Sequence, residues 1–360
     1  MVIASLAVAV AFLQAPTALP ESRPVQPASA LPADAARITM ASAASELLAA
    51  LPSEQRAKVT RAFDDPERTT WSFTRRQREG LYLSEMSEAH RALAMRLVES
   101  GLSKEGIERV RLIRMNEENN RTEEAARNEP ATYGADLYAL LIFGDPSDAT
   151  KPWGWRFEGH HIGLHFSSLA AETTTTPLFF GAFPAALAAG PHKGSRPLGA
   201  VQDAALDLRR RLSPEQAKQA TVADGPPADI LTGPGRERSL HDGKPVGGIA
   251  MADLGATERD ILWALVVRHA SDLRGDLASD ELRRIKAAGT EGIRFGWAGE
   301  PDLAKPHYYR IVGPTFAIEF DCSAGDPNHL HCVWNDPVRN FGDPLREHLE
   351  RDHRREKPKE

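Results

Sequence analysis

The sequence predicts an α+β fold, in which a helical N-terminal third packs on a largely antiparallel β-sheet with further helices. Apolar residues at helical spacing dominate the first third of the chain, and short apolar runs bounded by turn residues follow. Helices and strands occur in blocks rather than in strict alternation, which favours α+β over a parallel α/β sheet.

The composition is typical of a globular protein, with 41% hydrophobic and 26% charged residues in 360. The formal net charge is −6, whereas a general nucleic-acid binder normally presents net basic character. We therefore expect no nucleic-acid partner. The substrate and the oligomeric state stay open at this point.

The N-terminus carries an apolar run over residues 2–13, too short to span a membrane but suited to the core of a signal peptide. We predict a signal peptide over 1–30, a flexible leader over 31–41 at the end of a stretch (14–40) that is rich in Pro, Ala and Ser, and export to the periplasm or outside the cell. The alternative is an apolar tail on a cytoplasmic protein. After cleavage, no remaining segment is long and apolar enough to cross a bilayer.

Three serines are the predicted N-caps of the first helices: Ser53, Ser84 and Ser103. The third helix is long and polar and ends before Pro130. Beyond it, turn signals and apolar runs predict strands, and helical spacing predicts further helices. The predicted strands are 136–144, 153–169, 173–183, 291–298, 306–312, 315–322 and 329–335; the predicted helices are 200–212, 213–222, 257–274, 279–288 and one from Pro344. The Gly- and Pro-rich segment 224–256 is a predicted surface loop that forms one edge of a cleft.

The first histidine-rich stretch is WGWRFEGHHIGLHF, which begins at Trp153. Because side chains alternate along a strand, a continuous strand would place His161 and His165 on one face and Glu158 and His160 on the other. Neither set completes a metal site, so partners must come from elsewhere. His165 is predicted to be a packed or solvent-exposed residue rather than a ligand.

The second stretch is NHLHCVW, predicted to form a hairpin with 315–322 through a turn at residues 326–328. This register places Cys322 opposite Cys332. One face is then apolar and comprises Ile318, Phe320, Cys322, Leu330, Cys332 and Trp334. The other is polar and comprises Glu319, Asp321, His329, His331 and Asn335.

Cys322 and Cys332 are the only cysteines. In an exported protein, two cysteines on facing strands predict a disulfide. The alternative is a pair of reduced, buried thiols.

A His-x-His pair on a strand presents two imidazoles to one ion, because side chains two residues apart point the same way. The predicted metal ligands are His160, His161, His329 and His331. Glu158 and Asp321 are the predicted catalytic carboxylates, acting as general base or as a fourth ligand. The expected cofactor is a divalent transition metal, either zinc, copper or iron. A solvated polar face and a metal-free acid–base site are the alternatives.

The predicted function is metal-dependent hydrolysis, which needs no redox partner. The alternatives are an oxidase that uses copper or iron, a non-catalytic module that binds a small ligand or a metal, and a polar sheet surface that serves only assembly. Walker A, G-x-S-x-G, His-Glu-x-x-His and Cys-x-x-Cys motifs are absent from the sequence.

Long motifs resemble one family of bacterial proteins, the domain of unknown function number 3500. They are FDDPERTTWSF, EGLYLSEM, YALLIFGDPS, WGWRFEGHHIGLHF, TPLFFGAFPA, PHYYRIVGPTFAIEFD and NHLHCVWNDPVRNFGDPLREH. The resemblance implies one family domain over 42–350, followed by a charged tail over 351–360. It also implies that both histidine pairs belong to the family pattern, whereas His165, Cys332 and Asn335 depart from it.

Overall fold

A computed structural model describes residues 35–169 and 172–343. The predicted signal peptide over 1–30, the helix from Pro344 and the charged tail lie outside the described residues. Export therefore stays a prediction. Within the described part, no helix is both long enough and apolar enough to cross a membrane.

The described residues form eight α-helices and thirteen strands, which confirms the α+β class. The helices are α1 (Ala35–Ala50), α2 (Ser53–Val59), α3 (Glu88–Ser100), α4 (Lys104–Ala126), α5 (Gly199–Arg211), α6 (Pro214–Ala220), α7 (Ala256–Ala270) and α8 (Gly275–Ala287). The strands are β1 (Thr60–Arg61), β2 (Leu81–Tyr82), β3 (Ala139–Phe143), β4 (Trp153–Gly159), β5 (Ile162–Leu169), β6 (Glu172–Thr174), β7 (Leu178–Ala182), β8 (Thr221–Ala223), β9 (Ile249–Ala250), β10 (Arg294–Gly299), β11 (His307–Gly313), β12 (Phe316–Cys322) and β13 (Leu330–Asn335).

All thirteen strands belong to one mixed sheet, in the order β1-β3-β4-β5-β7-β13-β12-β11-β10-β8. Every pairing is antiparallel except β1 with β3 and β8 with β10, as the prediction of a largely antiparallel sheet requires. Strand β7 lies between β5 and β13. The two histidine-rich stretches, about 170 residues apart in sequence, are thereby separated by a single strand.

Helix α1 begins at Ala35, inside the stretch 31–41 that composition predicts as a flexible leader. Alanine has the highest helix propensity of all residues, and the last proline of the leader is Pro32. Buried Ala36, Met40, Ala44 and Leu47 recur at helical spacing and join the main core. Packing of this face fixes a segment whose composition alone suggests disorder.

Two of the three predicted N-caps are wrong. Ser53 is the first helical residue of α2 behind Pro52, and Ser87, not Ser84, caps α3 by accepting the backbone N–H of His90. Ser103 caps α4 as predicted, accepting the N–H of Gly106 at 3.0 Å. Several serines near a helix start offer equivalent caps, so sequence alone does not select one.

Residues 153–169 form two strands rather than the single predicted strand. His160 and His161 are the two-residue turn between β4 and β5, with Gly159 paired to Ile162 and His161 at φ 61°. The turn reverses the face parity, so that Phe157 shares the core face with Leu164. His165 therefore lies opposite Arg156, on the face away from the main core, and the predicted sorting of faces is wrong.

The hairpin of β12 and β13 has both faces as predicted but a register shifted by two residues. Asp321 pairs with His331 and Phe320 with Cys332. A shift of two leaves every side chain on its own face, because the side-chain period of a strand is two. The predicted apolar residues all lie in the main core, and Asp321, Glu319, His331 and Asn335 are buried on the other side.

The shifted register separates the two cysteines, and the predicted disulfide is wrong: both thiols are free and buried. Burial raises the pKa of each thiol to about 12, which disfavours the nucleophilic thiolate. The two cysteines behave as core residues of the hairpin.

We expect neither Cys322 nor Cys332 to react with Ellman's reagent in the native protein at pH 8, and both to react after unfolding in guanidinium without reductant. Burial and the raised pKa protect the native thiols. Counting released thionitrobenzoate tests this, with Cys332→Ser as a control that should release one equivalent. Two equivalents that appear only after reduction would establish a disulfide instead.

Candidate metal centre

Three imidazoles converge at the ends of β4, β5 and β13. His161 lies in the β4–β5 turn, His331 lies in β13, and His329 immediately precedes β13. The turn is anchored by backbone hydrogen bonds: the N–H of His161 donates to the carbonyl of Phe73 at 3.1 Å, and the N–H of Gly181 donates to the carbonyl of His161 at 2.8 Å. The β7 backbone thus holds His161 beside the strand that carries His331.

The geometry of these three histidines suits a shared ion. Nε2 of His161 lies 3.0 Å from Nε2 of His329, and one ring nitrogen from each of His161, His329 and His331 falls within 4.8 Å of the others. The ring centroid of His331 lies 5.4 Å from that of His161 and 4.7 Å from that of His329. These residues could hold a metal ion.

Glu117, on helix α4, extends the cluster on the side of the turn. Its Oε1 lies 2.9 Å from Nδ1 of His160 and 3.8 Å from Nδ1 of His161, and the three residues form a second group that could hold a metal ion. The rings of His160 and His161 stack with centroids 3.7 Å apart. Burial raises the pKa of Glu117 well above its ordinary value, which favours the neutral carboxyl.

Two aspartates extend the cluster on the other side. Nδ1 of His331 lies 2.8 Å from Oδ1 of Asp229 and 3.7 Å from Oδ1 of Asp321, and these residues form the third group. Among the described residues, no donor hydrogen-bonds to either carboxylate oxygen of buried Asp321. Burial raises its pKa well above the ordinary value. A buried carboxyl without partners is costly and is typical of functional sites.

Asp229 reaches the site because β12 anchors its loop. Glu319 accepts the backbone N–H groups of Leu231 at 3.0 Å and Thr232 at 2.7 Å. Asn335 donates to the carbonyl of Thr232 at 3.0 Å. Two polar residues of the predicted hairpin face therefore position the loop rather than the histidines.

Three imidazoles of the site favour the neutral form. Burial lowers the pKa of His160 and of His161 well below the ordinary value, and it lowers the pKa of His329 to about 4. The neighbouring histidines and arginines act in the same direction. Neutral imidazole is the form that binds metal, so these three residues need no deprotonation near neutral pH.

Glu158 does not join the imidazoles. Its carboxylate accepts from Nε of Arg78 at 2.6 Å and from the N–H of Ser72 at 3.1 Å, and Nε of Arg156 lies 3.2 Å away. It belongs to none of the three potential metal-binding groups. Its catalytic role stays a prediction, and the contacts describe a buried ion-pair network.

A cavity of about 310 Å³ opens beside the second group. Its lining includes Arg75, Arg76, Arg78, Glu117, Tyr138 and His160. Glu117 is the one carboxylate among the described residues that line it. Two lining residues, His160 and Glu117, therefore contact His161 directly.

The sequence analysis missed Glu117 and Asp229. Glu117 lies in MNEENN, where Asn116, Glu117, Asn120 and Glu124 are all buried. Their i, i+1, i+4 and i+8 spacing marks one helix face, but polar residues at that spacing normally face solvent. Asp229 lies in the loop predicted as a cleft edge, where no periodicity singles out a residue.

Two further buried histidines pack away from the cluster. Nδ1 of His165 lies 2.8 Å from the carbonyl of Pro177, and Nε2 of His269 lies 3.0 Å from the hydroxyl of Tyr309. Burial lowers the pKa of both to about 3. They are core residues rather than ligands.

Acid is expected to destabilise the fold through these two residues. The unfolded chain takes up protons below pH about 6.5, whereas folded His165 stays neutral down to about pH 3, so stability falls as the pH drops through this window. His165→Gln should reduce the loss of unfolding free energy between pH about 6.5 and about 4.5 by about 2 kcal/mol. Urea denaturation at both pH values measures it, with His90→Gln at a half-buried helical position as the control. An equal loss in both variants and the wild type would contradict this assignment.

Comparison with known proteins supports the resemblance seen in the motifs. The model of a family described as protein of unknown function (DUF3500) matches residues 34–343. No curated protein matches the chain, and no solved structure does. The matched segment contains both histidine pairs, all three carboxylates of the site and the whole sheet. The chain therefore belongs to the DUF3500 family of proteins of unknown function.

Proposed function

We propose that this protein is a metal-dependent hydrolase in which His161, His329 and His331 hold one divalent ion. The observation that carries the proposal is the 3.0 Å separation of Nε2 of His161 from Nε2 of His329, with a nitrogen of His331 also in reach. Two imidazole nitrogens at this distance either share one proton or face a common ion. Three imidazoles with an open fourth position are typical of catalytic zinc.

Carboxylates near the Nδ1 atoms of the histidines support this arrangement. A metal-ligating histidine usually donates its other ring N–H to a carboxylate, which fixes the tautomer and the ring orientation. Nδ1 of His331 lies 2.8 Å from Asp229, within hydrogen-bond distance, and this contact leaves Nε2 of His331 for the ion. Glu117 lies 3.8 Å from Nδ1 of His161, and Asp321 lies 3.7 Å from Nδ1 of His331; neither carboxyl group hydrogen-bonds to that nitrogen. Asp321, predicted as a base, has no assigned role in this proposal.

Glu117 is the proposed acid–base group. It lines the cavity, and burial raises its pKa well above the ordinary carboxyl value, which favours the protonated form that a general acid needs. Bound zinc lowers the pKa of a coordinated water to near 7, and hydrolysis then needs no redox partner. Glu158 takes no part in the proposed reaction, because two arginines engage its carboxylate.

The experiment loads the metal-free protein with zinc and measures metal content and affinity. We expect one ion per chain and a loss of affinity of at least about 100-fold in His161→Ala, His329→Ala and His331→Ala. His165→Asn, four residues from His161 in the same hairpin, is the matched control and should bind zinc as the wild type does.

Turnover is followed with a chromogenic ester such as p-nitrophenyl acetate. Glu117→Gln should retain zinc and lose roughly 100-fold or more in rate, the ordinary contribution of general acid–base catalysis. Circular dichroism of each variant checks the fold. Unchanged zinc affinity in all three alanine variants would exclude the site, and zinc binding without turnover would leave a non-catalytic metal-binding module.

The second group favours a second candidate, an iron-dependent oxidase. Glu117, His160 and His161 offer two imidazoles and one carboxylate, the donor set typical of non-haem iron oxygenases. This group lies on the cavity itself. Native metal analysis separates the two candidates, since iron whose binding depends on His160 but not on His329 favours the oxidase.

A further inference from the structure

The cavity beside His160 has an unusual lining for a site that ends at a carboxyl group. Three of its residues are arginines, Arg75, Arg76 and Arg78, and only Glu117 is acidic among the described residues that line it. The cavity wall is therefore net positive.

The three arginines have different environments. Arg78 is buried, and its charge is offset by Glu158. Arg75 and Arg76 are exposed, and within 35–169 and 172–343 no carboxylate forms an ion pair with either of them. Neither guanidinium group therefore has a carboxylate at ion-pair distance among these residues, and each can bind an anion from outside.

Arg75 is held in place toward the imidazoles. Its Nη1 donates to the hydroxyl of Thr132 at 3.0 Å, and its guanidinium carbon lies 4.6 Å from the ring centroid of Tyr133. The ring of Tyr133 in turn contacts the ring of His160, with centroids 5.4 Å apart. A guanidinium fixed in this way loses little side-chain entropy when it binds a ligand.

We propose that this cavity binds an anionic oxygen group of the substrate, a carboxylate or a phosphate, through Arg75 and Arg76. The inference rests on the hydrolase proposed above and names the class of its substrate as small organic anions. A guanidinium matches either oxyanion with two parallel hydrogen bonds. The volume of about 310 Å³ lies at the lower end of the usual range for small-molecule sites.

The lining of the cavity places a bound anion close to the proposed metal centre. His160 and Glu117 line the cavity, and both contact His161, by ring stacking and at 3.8 Å respectively. An anion held by the arginines therefore lies one layer of side chains from the imidazole cluster.

The test measures binding of inorganic phosphate and of succinate by calorimetry, first in the full-length protein treated with chelator. We expect at least one anion to bind in the millimolar range or tighter, and Arg75→Gln/Arg76→Gln to weaken it at least about tenfold. The anion that binds more tightly identifies phosphate esters or carboxylates as the substrate group.

Arg121→Gln/Arg127→Gln is the matched control, because it removes the same charge from exposed arginines of the α4 region that pair with glutamates outside the cavity. It should leave anion affinity unchanged. Equal weakening in both double variants, or no binding of either anion to the wild type, overturns the proposal. Anion binding without zinc binding overturns only the proposed hydrolase, whereas zinc binding without anion binding overturns only this inference.

Discussion

Gly181→Ala is expected to lower affinity for a divalent metal ion by about 100-fold while the sheet still forms. Gly181 lies in β7 opposite His331, and a Cβ at this position would lie 2.6 Å from Cδ2 and 2.9 Å from Cγ of His161. No real Cβ tolerates these distances, so the imidazole must move off the position where its Nε2 faces His329. Displacing a ligand by about an ångström costs at least as much as losing a residue that orients it.

Zinc titration of the variant against the wild type measures the effect, and thermal unfolding shows whether the fold survives. Gly163→Ala is the control, because it lies in the neighbouring strand and its Cβ would meet the Trp71 ring at 3.2 Å rather than a histidine. We expect this control to lose some stability and no metal affinity. Equal zinc affinities in both variants and the wild type would contradict the site.

Glu158→Gln is expected to destabilise the protein by about 3–5 kcal/mol, the cost of removing one partner from a buried ion pair. Glu158 is 1% exposed and lies between the guanidinium groups of Arg78 and Arg156. The amide leaves Arg78 with only uncharged acceptors, whereas Arg156 keeps its ion pair with Glu67 at 2.6 Å. Zinc affinity should stay within about threefold, because Glu158 does not contact the imidazoles.

Urea denaturation of Glu158→Gln gives the free energy of unfolding. Glu79→Gln is the control, since it removes the same charge from a 66% exposed carboxylate paired with Arg61 and should cost under about 1 kcal/mol. A stable Glu158→Gln variant that binds zinc but has lost turnover would instead support the catalytic role that the sequence predicted for Glu158.

The sequence predicted the faces of the sheet better than its connections. The apolar and polar sides of the β12–β13 hairpin were correct although the register was two residues off, because alternation sets the face and the turn sets the register. The β4–β5 hairpin was missed because the run is apolar on both sides of Gly159-His160-His161 and contains no Asn-Gly or Asp-Gly turn signal. Because this two-residue turn was not recognised, His165 and Glu158 were predicted on opposite faces of the sheet, whereas they lie on the same face.

The candidate site was predictable where side-chain type and spacing agreed, as in His329-x-His331. It was not predictable where tertiary packing buries groups that usually face water. Glu117 on α4 has the sequence context of a solvated helix face, and Asp229 is placed by the hydrogen bonds of Glu319 to its loop. Neither the burial of Glu117 nor the placement of Asp229 produces a recognisable local sequence pattern.

The two strands at the ends of the sheet are the places where another chain could add a strand. The main strand path ends in β1, with two residues, and β8, with three. Edge strands this short expose few unpaired N–H and C=O groups, so they offer little backbone for pairing with a strand of another molecule. The short strands at both ends of the path therefore disfavour edge-to-edge pairing between two copies of this thirteen-stranded sheet.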